Sequence, residues 1–187
     1  MLHIFGCSAN FHQKLFQIDA EIAEMTRVQG CHRCGGRLHQ ANYPRQGFGL
    51  HADVRPLYAM RFSFCCGRCR RRTTPPSVRF FGRRRFVAAV FVLLSALRLP
   101  VTEQRCEQLV RHFAVHLSVS TWKRWRAWWR HRFPISAFWT EAKAHVPSVS
   151  ITTPLPRGLL QAFLAAHVAQ RLLSLLQFVS PLSIGSV

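Results

Sequence analysis

Acidic residues are scarce in this chain. Seven Asp and Glu stand against 26 Lys and Arg, a formal net charge of +19 over 187 residues. A carboxylate-based active site would have to be assembled from Asp19, Glu21, Glu24, Asp53, Glu103, Glu107 and Glu141, which are scattered or read as helix-surface positions. Lysine is nearly as rare. Only Lys14, Lys123 and Lys143 occur, so the remaining 23 cations are arginines. A guanidinium forks onto phosphate and stacks on bases, which an ammonium does not do. Long apolar runs are also missing. The longest, residues 86–97, has twelve positions, short of the roughly 18 that a membrane span requires. It reads as a buried core helix, and no membrane partner is expected. Residues 1–7 lack a basic leading segment and a long apolar stretch, so no lipoprotein signal is expected.

What is present is a hydrophobic fraction of 49% and a pI near 11.6. The first allows a packed core. The second opposes compaction on its own and calls for a polyanionic partner, which makes nucleic acid the expected one.

The punctuation of the chain predicts four regions. Residues 1–30 hold an N-terminal helix, with Asn10 as cap, Gly30 as stop, and Phe11, Leu15, Ile18, Ile22 and Met25 as its apolar stripe. Residues 31–82 are turn-rich. There Tyr58, Met60, Phe62 and Phe64 alternate with polar residues as in a strand, and residues 78–81 form a second strand candidate. Residues 83–132 read as three helices, separated by Pro100 and by residues 114–118. Residues 133–187 form a Pro/Ser/Thr linker and one amphipathic helix, 158–179, striped by Leu160, Leu164, Val168, Leu172, Leu175 and Val179 and stopped by Pro181. That stripe suits packing on the rest of the chain or dimerisation, so a homodimer is a possible partner state. The fold class is α+β, mostly α.

Four of the seven cysteines fall in two CxxC pairs, Cys31/Cys34 and Cys66/Cys69, with 31 residues between them. Two thiolates at that spacing bind one tetrahedral metal, and the glycines beside them let the chain turn back on itself. The pattern predicts a four-cysteine zinc ribbon holding one structural Zn²⁺. Four thiolates leave no open coordination position, so the metal is not expected to be catalytic. Cys65 is the rival to Cys66, but its spacing to Cys69 is less favourable. Cys106 reads as a buried thiol, Cys7 as part of a frayed terminus, and His32 and His39 as surface histidines. An odd number of cysteines, mostly paired for metal, points to a reducing, cytoplasmic setting.

Eight arginines lie between positions 68 and 85: Arg68, Arg70, Arg71, Arg72, Arg79, Arg83, Arg84 and Arg85. A run of this kind after a knuckle suits a phosphate track. Further on, Ser118 can cap a helix on which Trp122, Trp125 and Trp129 share one face. Ser120, Thr121, Lys123, Arg124, Arg126 and Arg130 are then available to nucleic acid, with Trp128 either packing or stacking. The segment 116–125 is similar to the turn and recognition helix of bacterial helix-turn-helix domains, although His116 stands where glycine is usual. In such domains the recognition helix lies in the major groove.

Together Cys31-x-x-Cys34-Gly, Phe64-Cys-Cys66-Gly-Arg-Cys69-Arg and Ser120-Thr-Trp-Lys-Arg-Trp125 resemble the N-terminal zinc-ribbon and helix-turn-helix module of insertion-sequence transposases, over residues 28–132. Segments such as Cys34–His39 and Asn42–Arg45 also resemble short bacterial proteins of no settled activity. The resemblance implies a DNA-binding module, transposase-related and accessory or regulatory. A full transposase of this kind adds an RNase H-like domain with three metal-binding carboxylates. Glu141 is the sole acid after position 132, and one carboxylate cannot hold two Mg²⁺ ions. No catalytic centre is expected, although a partner protein could supply one. RNA is the alternative polyanion, since ribbons and arginine runs suit it too.

Overall fold

The computed structural model describes residues 9–47, 50, 52–82, 86–113, 115–146, 153–163 and 167–184. The chain is mostly helical, with three small antiparallel sheets. Helix α1 (Ala9–Gln29) leads into β1 (Leu38–Gln40), β2 (Tyr43–Pro44), a 3₁₀ segment (Ala52–Tyr58), β3 (Met60–Arg61), β4 (Phe64–Cys66), β5 (Arg72–Thr73), β6 (Phe80–Phe81) and β7 (Phe86–Val87). Six helices follow: α2 (Ala88–Ala96), α3 (Glu103–Phe113), α4 (Val119–Ala127), α5 (Ala137–Ala142), α6 (Arg157–Ala162) and α7 (Val168–Val179). The sheets are β1-β4-β5, β2-β3 and β6-β7.

Helix α1 forms where its apolar spacing predicts, and Gly30 at φ +77 ends it. Two details differ. The helix begins before Asn10, which is therefore inside it and not its cap. Its buried face is Phe11, His12, Leu15, Asp19 and Ala23, whereas Ile18 and Ile22 are only half-buried and Met25 is 57% exposed. The rotation has a polar cause. The Asp19 carboxylate is fully buried and accepts from Arg79 Nε at 2.7 Å, Ser77 Oγ at 2.5 Å and the Val78 amide at 2.7 Å. Arg79 is likewise 0% exposed. Its remaining nitrogens donate to the carbonyls of Leu57 and Met60, and its guanidinium lies over the rings of Phe16, Phe62 and Phe80. Ser77 extends the network, its amide donating to Ser183 Oγ at 2.8 Å near the end of the described chain.

The strand expected from the alternation of 58–64 is split into β3 and β4, with Tyr58 and Phe64 buried as expected but the pattern inverted over 60–63. Tyr58 is buried, but it closes the 3₁₀ segment and donates or accepts across to His12 Nδ1 at 2.8 Å. Met60 is 42% exposed, while Arg61 and Ser63 are 0% exposed. Burial here is set by hydrogen bonds: Arg61 donates to the Pro75 carbonyl, and the Ser63 amide donates to Asn42 Oδ1. The second expected strand appears as β6, paired with β7 through Phe80↔Val87 and Phe81↔Phe86.

All nine residues of α2 are buried, in keeping with its unbroken apolar run. Residues 86–87 of that run form β7, and the helix begins at Ala88. In α3, Leu109 faces the core, whereas Val110 is 37% exposed. The Phe113 side chain lies outside the described residues. The amino end of α4 is capped as expected, Ser118 Oγ accepting from the Thr121 amide at 3.2 Å. Trp122, Trp125 and Trp129 are buried, and Trp122 Nε1 donates to the Leu94 carbonyl at 2.9 Å. Trp128 packs edge-on to Phe81 and Phe91, which settles its role as packing. A π turn at Trp128–Arg132 continues α4 into a 3₁₀ turn, Phe133–Ile135.

The single C-terminal helix expected over 158–179 is interrupted. Helix α6 stops at Ala162, where Phe163 turns extended, and α7 resumes at Val168. Leu164 of the expected stripe lies outside the described residues. Leu172, Leu175 and Val179 of the expected stripe enter the main core with Leu173 and Leu176, which lay off it, whereas Val168 is 45% exposed and Leu160 half-buried. That core draws residues from Phe11 to Val179, and a small second cluster gathers Ala23, Leu38 and Phe64 around the cysteines.

The buried ion pair generates a stability prediction. Removing one partner strands a charge without solvent, which costs about 3–5 kcal/mol. Asp19→Ala is expected to lower the thermal midpoint by many degrees or prevent folding. Glu24→Ala, which deletes the exposed pair with Arg27, is expected to leave the midpoint nearly unchanged, because solvent screens such a pair. Calorimetric melting of both variants checks this.

Candidate metal centre and cationic surface

The second cluster is built around Cys31, Cys34, Cys66 and Cys69, whose four Sγ atoms all lie within 4.8 Å of one another. Cys31 Sγ is 3.6 Å from Cys69 Sγ, and Cys34 Sγ is 3.5 Å from Cys66 Sγ. Thiolates at about 2.3 Å from a tetrahedral zinc would sit about 3.8 Å apart. The geometry is compatible with a metal site.

The two knuckles have matching backbones. The Gly35 amide donates to the Cys31 carbonyl at 2.8 Å, and the Arg70 amide donates to the Cys66 carbonyl at 3.0 Å. Gly35 and Arg70 both adopt positive φ, at 66 and 57. Gly36 has no room for a side chain: a Cβ there would lie 2.9 Å from Cys66 Sγ and 2.9 Å from Arg68 Cβ. The strands bring the knuckles together. Antiparallel pairing of β1 with β4 sets Leu38 opposite Cys66 and His39 opposite Cys65. Successive strand residues point to opposite faces, so Cys66 enters the cluster and Cys65 does not. The Cys65 thiol instead lies 3.5 Å from the Arg70 carbonyl.

The thiols are unequal. Backbone amides of Cys69 and Arg68 pull Cys66 down to about 6 against the cost of burial. Cys69 is pushed up to about 11. The Arg71 amide lowers it, but burial and the thiols of Cys34, Cys66 and Cys31 together outweigh that. Four thiolates this close repel one another, and a dication removes the conflict. Cys106 is the buried thiol its sequence context suggests, pushed up by burial and by Glu103.

The arginines expected at a phosphate track fall into distinct groups. Arg68, Arg70 and Arg71 are exposed on the second knuckle, and their side chains have no hydrogen-bond or ion-pair partner among the described residues. Arg72 is exposed but engaged, donating to the Ala41 carbonyl at 2.9 Å and lying over Tyr43. Arg79 is not available to a phosphate, because it is sealed in the core against Asp19. Arg83, Arg84 and Arg85 lie outside the described residues. Arg33 and Arg37, which the arginine run does not include, are exposed beside the first knuckle, and the Arg37 carbonyl accepts from the Gly67 amide at 3.0 Å. Their signal was their position inside and just after the first cysteine pair.

On α4 and the turn beyond it, Ser120, Lys123, Arg124 and Arg130 are exposed and Thr121 is half-buried. Arg124 donates to Thr121 Oγ1 at 3.3 Å. Arg126 is not free: it donates to the Leu97 carbonyl and lies over the Trp122 ring at 5.3 Å. Glu103 and Glu107 of α3 share a groove with Ser118, Ser120 and Lys123, so two of the few acids sit beside the amino end of α4.

Metal content tests the centre. The wild-type chain is expected to carry about one tightly bound metal ion, and Cys66→Ser should lose it together with the folded structure of the surrounding sheet, since ligand binding and folding are one equilibrium at such sites. Cys65→Ser should retain the full complement. Elemental analysis of the three purified proteins decides between Cys65 and Cys66.

No family model matches the chain, and no curated protein or solved structure is similar to it.

Proposed function

We propose that this chain is a zinc-stabilised, DNA-binding module with no catalytic centre of its own. The observation that carries the reading is the trio Arg68, Arg70 and Arg71, exposed and unpaired on one cysteine knuckle. A knuckle tied to a tetrahedral metal is rigid, so its guanidiniums are held ready for a phosphate chain at small entropic cost. Zinc is the ion that an all-thiolate tetrahedron of this size suits. Arg33 and Arg37 widen the same cationic surface.

The packing of α4 adds to the reading. Its tryptophan face is buried, which leaves Ser120, Lys123 and Arg124 outward as a helix of helix-turn-helix type would present them. Glu107 and Glu103 beside its amino end disfavour plain phosphate contact there and favour base-edge contact, where a carboxylate accepts from cytosine N4. The likeness of the two knuckles and of residues 120–125 to transposase N-terminal modules supports an accessory or regulatory role on mobile DNA.

Two variants separate positioning from reading. Arg71→Ala is expected to weaken binding to all duplexes alike and to flatten the plot of log affinity against log salt by about 0.9, one released phosphate contact. Arg124→Ala is expected to cost about 1–3 kcal/mol on a duplex selected from a random pool, with little loss on scrambled duplex. Affinities of both variants on both duplexes at two salt concentrations test this. Tighter binding to structured RNA than to any selected duplex would replace DNA with RNA as the partner.

A further inference from the structure

A second arginine-rich feature lies on elements other than the knuckles. Between the carboxyl end of α2, the turn after α4 and the start of α6 is a cleft of about 440 Å³. That volume falls in the range of about 300–1,000 Å³ that small-molecule sites occupy. Four arginines line it, Arg98, Arg126, Arg130 and Arg157, and no acidic residue does. Arg98, Arg130 and Arg157 have no hydrogen bond or ion pair among the described residues. Arg126 holds the Leu97 carbonyl, but its Nε is buried without a partner. Trp129, which also lines the cleft, is 0% exposed and its indole N–H has no partner. Buried donors of this kind are normally satisfied.

Four like charges around one concavity repel each other. The effect is visible at Arg126, whose guanidinium is held below its ordinary value by burial and by the charges of Arg130 and Arg105. A ligand with a single carboxylate would offset one charge of the four. A diphosphate brings several negative oxygens and matches the planar forks of the guanidiniums. Apart from Ser95 and Thr153 the remaining lining is apolar, with Leu155 and Pro134 among its walls, which suits a ligand whose charged end is joined to a flat, weakly polar body.

We propose that this cleft is a binding site for a nucleoside diphosphate or a ligand of the same chemistry. The cleft shares Arg126 with α4 and Arg130 with the turn beyond it, whereas Arg98 and Arg157 belong to neither the knuckle nor α4, so variants at those two separate the cleft from the DNA reading. The same phosphate chemistry has a second source, a nucleotide of a bound strand, and the test separates the two.

The experiment is calorimetric titration of the full, metal-loaded chain with ADP, adenosine and pyrophosphate, beside a duplex-binding assay. ADP is expected to bind at one saturable site, pyrophosphate more weakly, and adenosine not at all. Arg157→Gln is expected to lower ADP affinity about tenfold or more, the effect of one lost charge-assisted contact, with duplex affinity unchanged within about twofold. Arg98→Gln, at an exposed position, provides a second variant with the same expectation, and near-ultraviolet circular dichroism confirms that both retain the wild-type fold. Absence of saturable ADP binding, or adenosine binding as well as ADP, overturns the proposal. So does a loss of duplex affinity in both variants equal to the loss for ADP, which would assign the cleft to a nucleic-acid strand.

Discussion

A carboxylate with no solvent exposure organises the chain. Asp19 accepts three hydrogen bonds, one each from Ser77, the Val78 amide and Arg79. Through Arg79 it reaches the carbonyls of Leu57 and Met60, and through Ser77 it reaches Ser183. One acid therefore ties the N-terminal helix, the 3₁₀ segment, the β6 region and the C-terminal turn to a common point. A buried pair of this sort is rarely worth more than a well-packed apolar substitute, since desolvation consumes most of the attraction. What it does impose is geometry. Each donor has one place to be, and a slip of α1 by one residue would leave a charge stranded in the core.

The core is unusual in what else it encloses. Arg45, Arg61 and Arg79 are all buried, and all three guanidiniums lie near the Phe80 ring. Ring faces attract cations, and the attraction grows once water is excluded. At Arg61 the Nε and Nη1 find no partner among the described residues, and burial lowers its guanidinium to about 10. Part of the chain's positive charge is thus turned inward and serves packing. The outward charge that a polyanion would meet is smaller than the composition suggests, and among the described residues the two knuckles, α4 and the cleft beside α2 carry part of it.

The features legible in the sequence were those whose physics is local. CxxC spacing specifies a knuckle because two ligands three positions apart meet one ion whatever lies beyond them. The Ser118 cap and the Trp122, Trp125, Trp129 face follow from helical periodicity. The choice between Cys65 and Cys66 was only partly legible, since the register of β4 against β1 decides it. What stayed hidden was pairing over long separations. Arg79 and Asp19 are 60 positions apart, and nothing in the run of arginines marks Arg79 as the one whose partner is an acid on the first helix. The same pairing turns α1 away from the stripe of Ile18, Ile22 and Met25, and hydrogen bonds at Arg61 and Ser63 override the alternation around them. Arg126 shows the limit on a smaller scale. Its helical position is half outward, but the free carbonyl at the end of α2 draws it in.

The knuckles show how the outward charge is presented. Gly35 and Arg70 occupy equivalent places, each following the second cysteine of its pair at positive φ. Glycine adopts that conformation freely, whereas a residue with a Cβ loses roughly 1–2 kcal/mol. Arg70 is exposed and adds nothing to the small core below it, so no packing gain offsets that loss. What the arginine does provide is a third exposed cation beside Arg68 and Arg71. Exposed guanidiniums on one surface loop suit contacts along a phosphate backbone. The arginines between α2 and α6 instead line a cleft. The two proposals therefore call on different phosphates, an extended strand at the knuckle and a small ligand at the cleft.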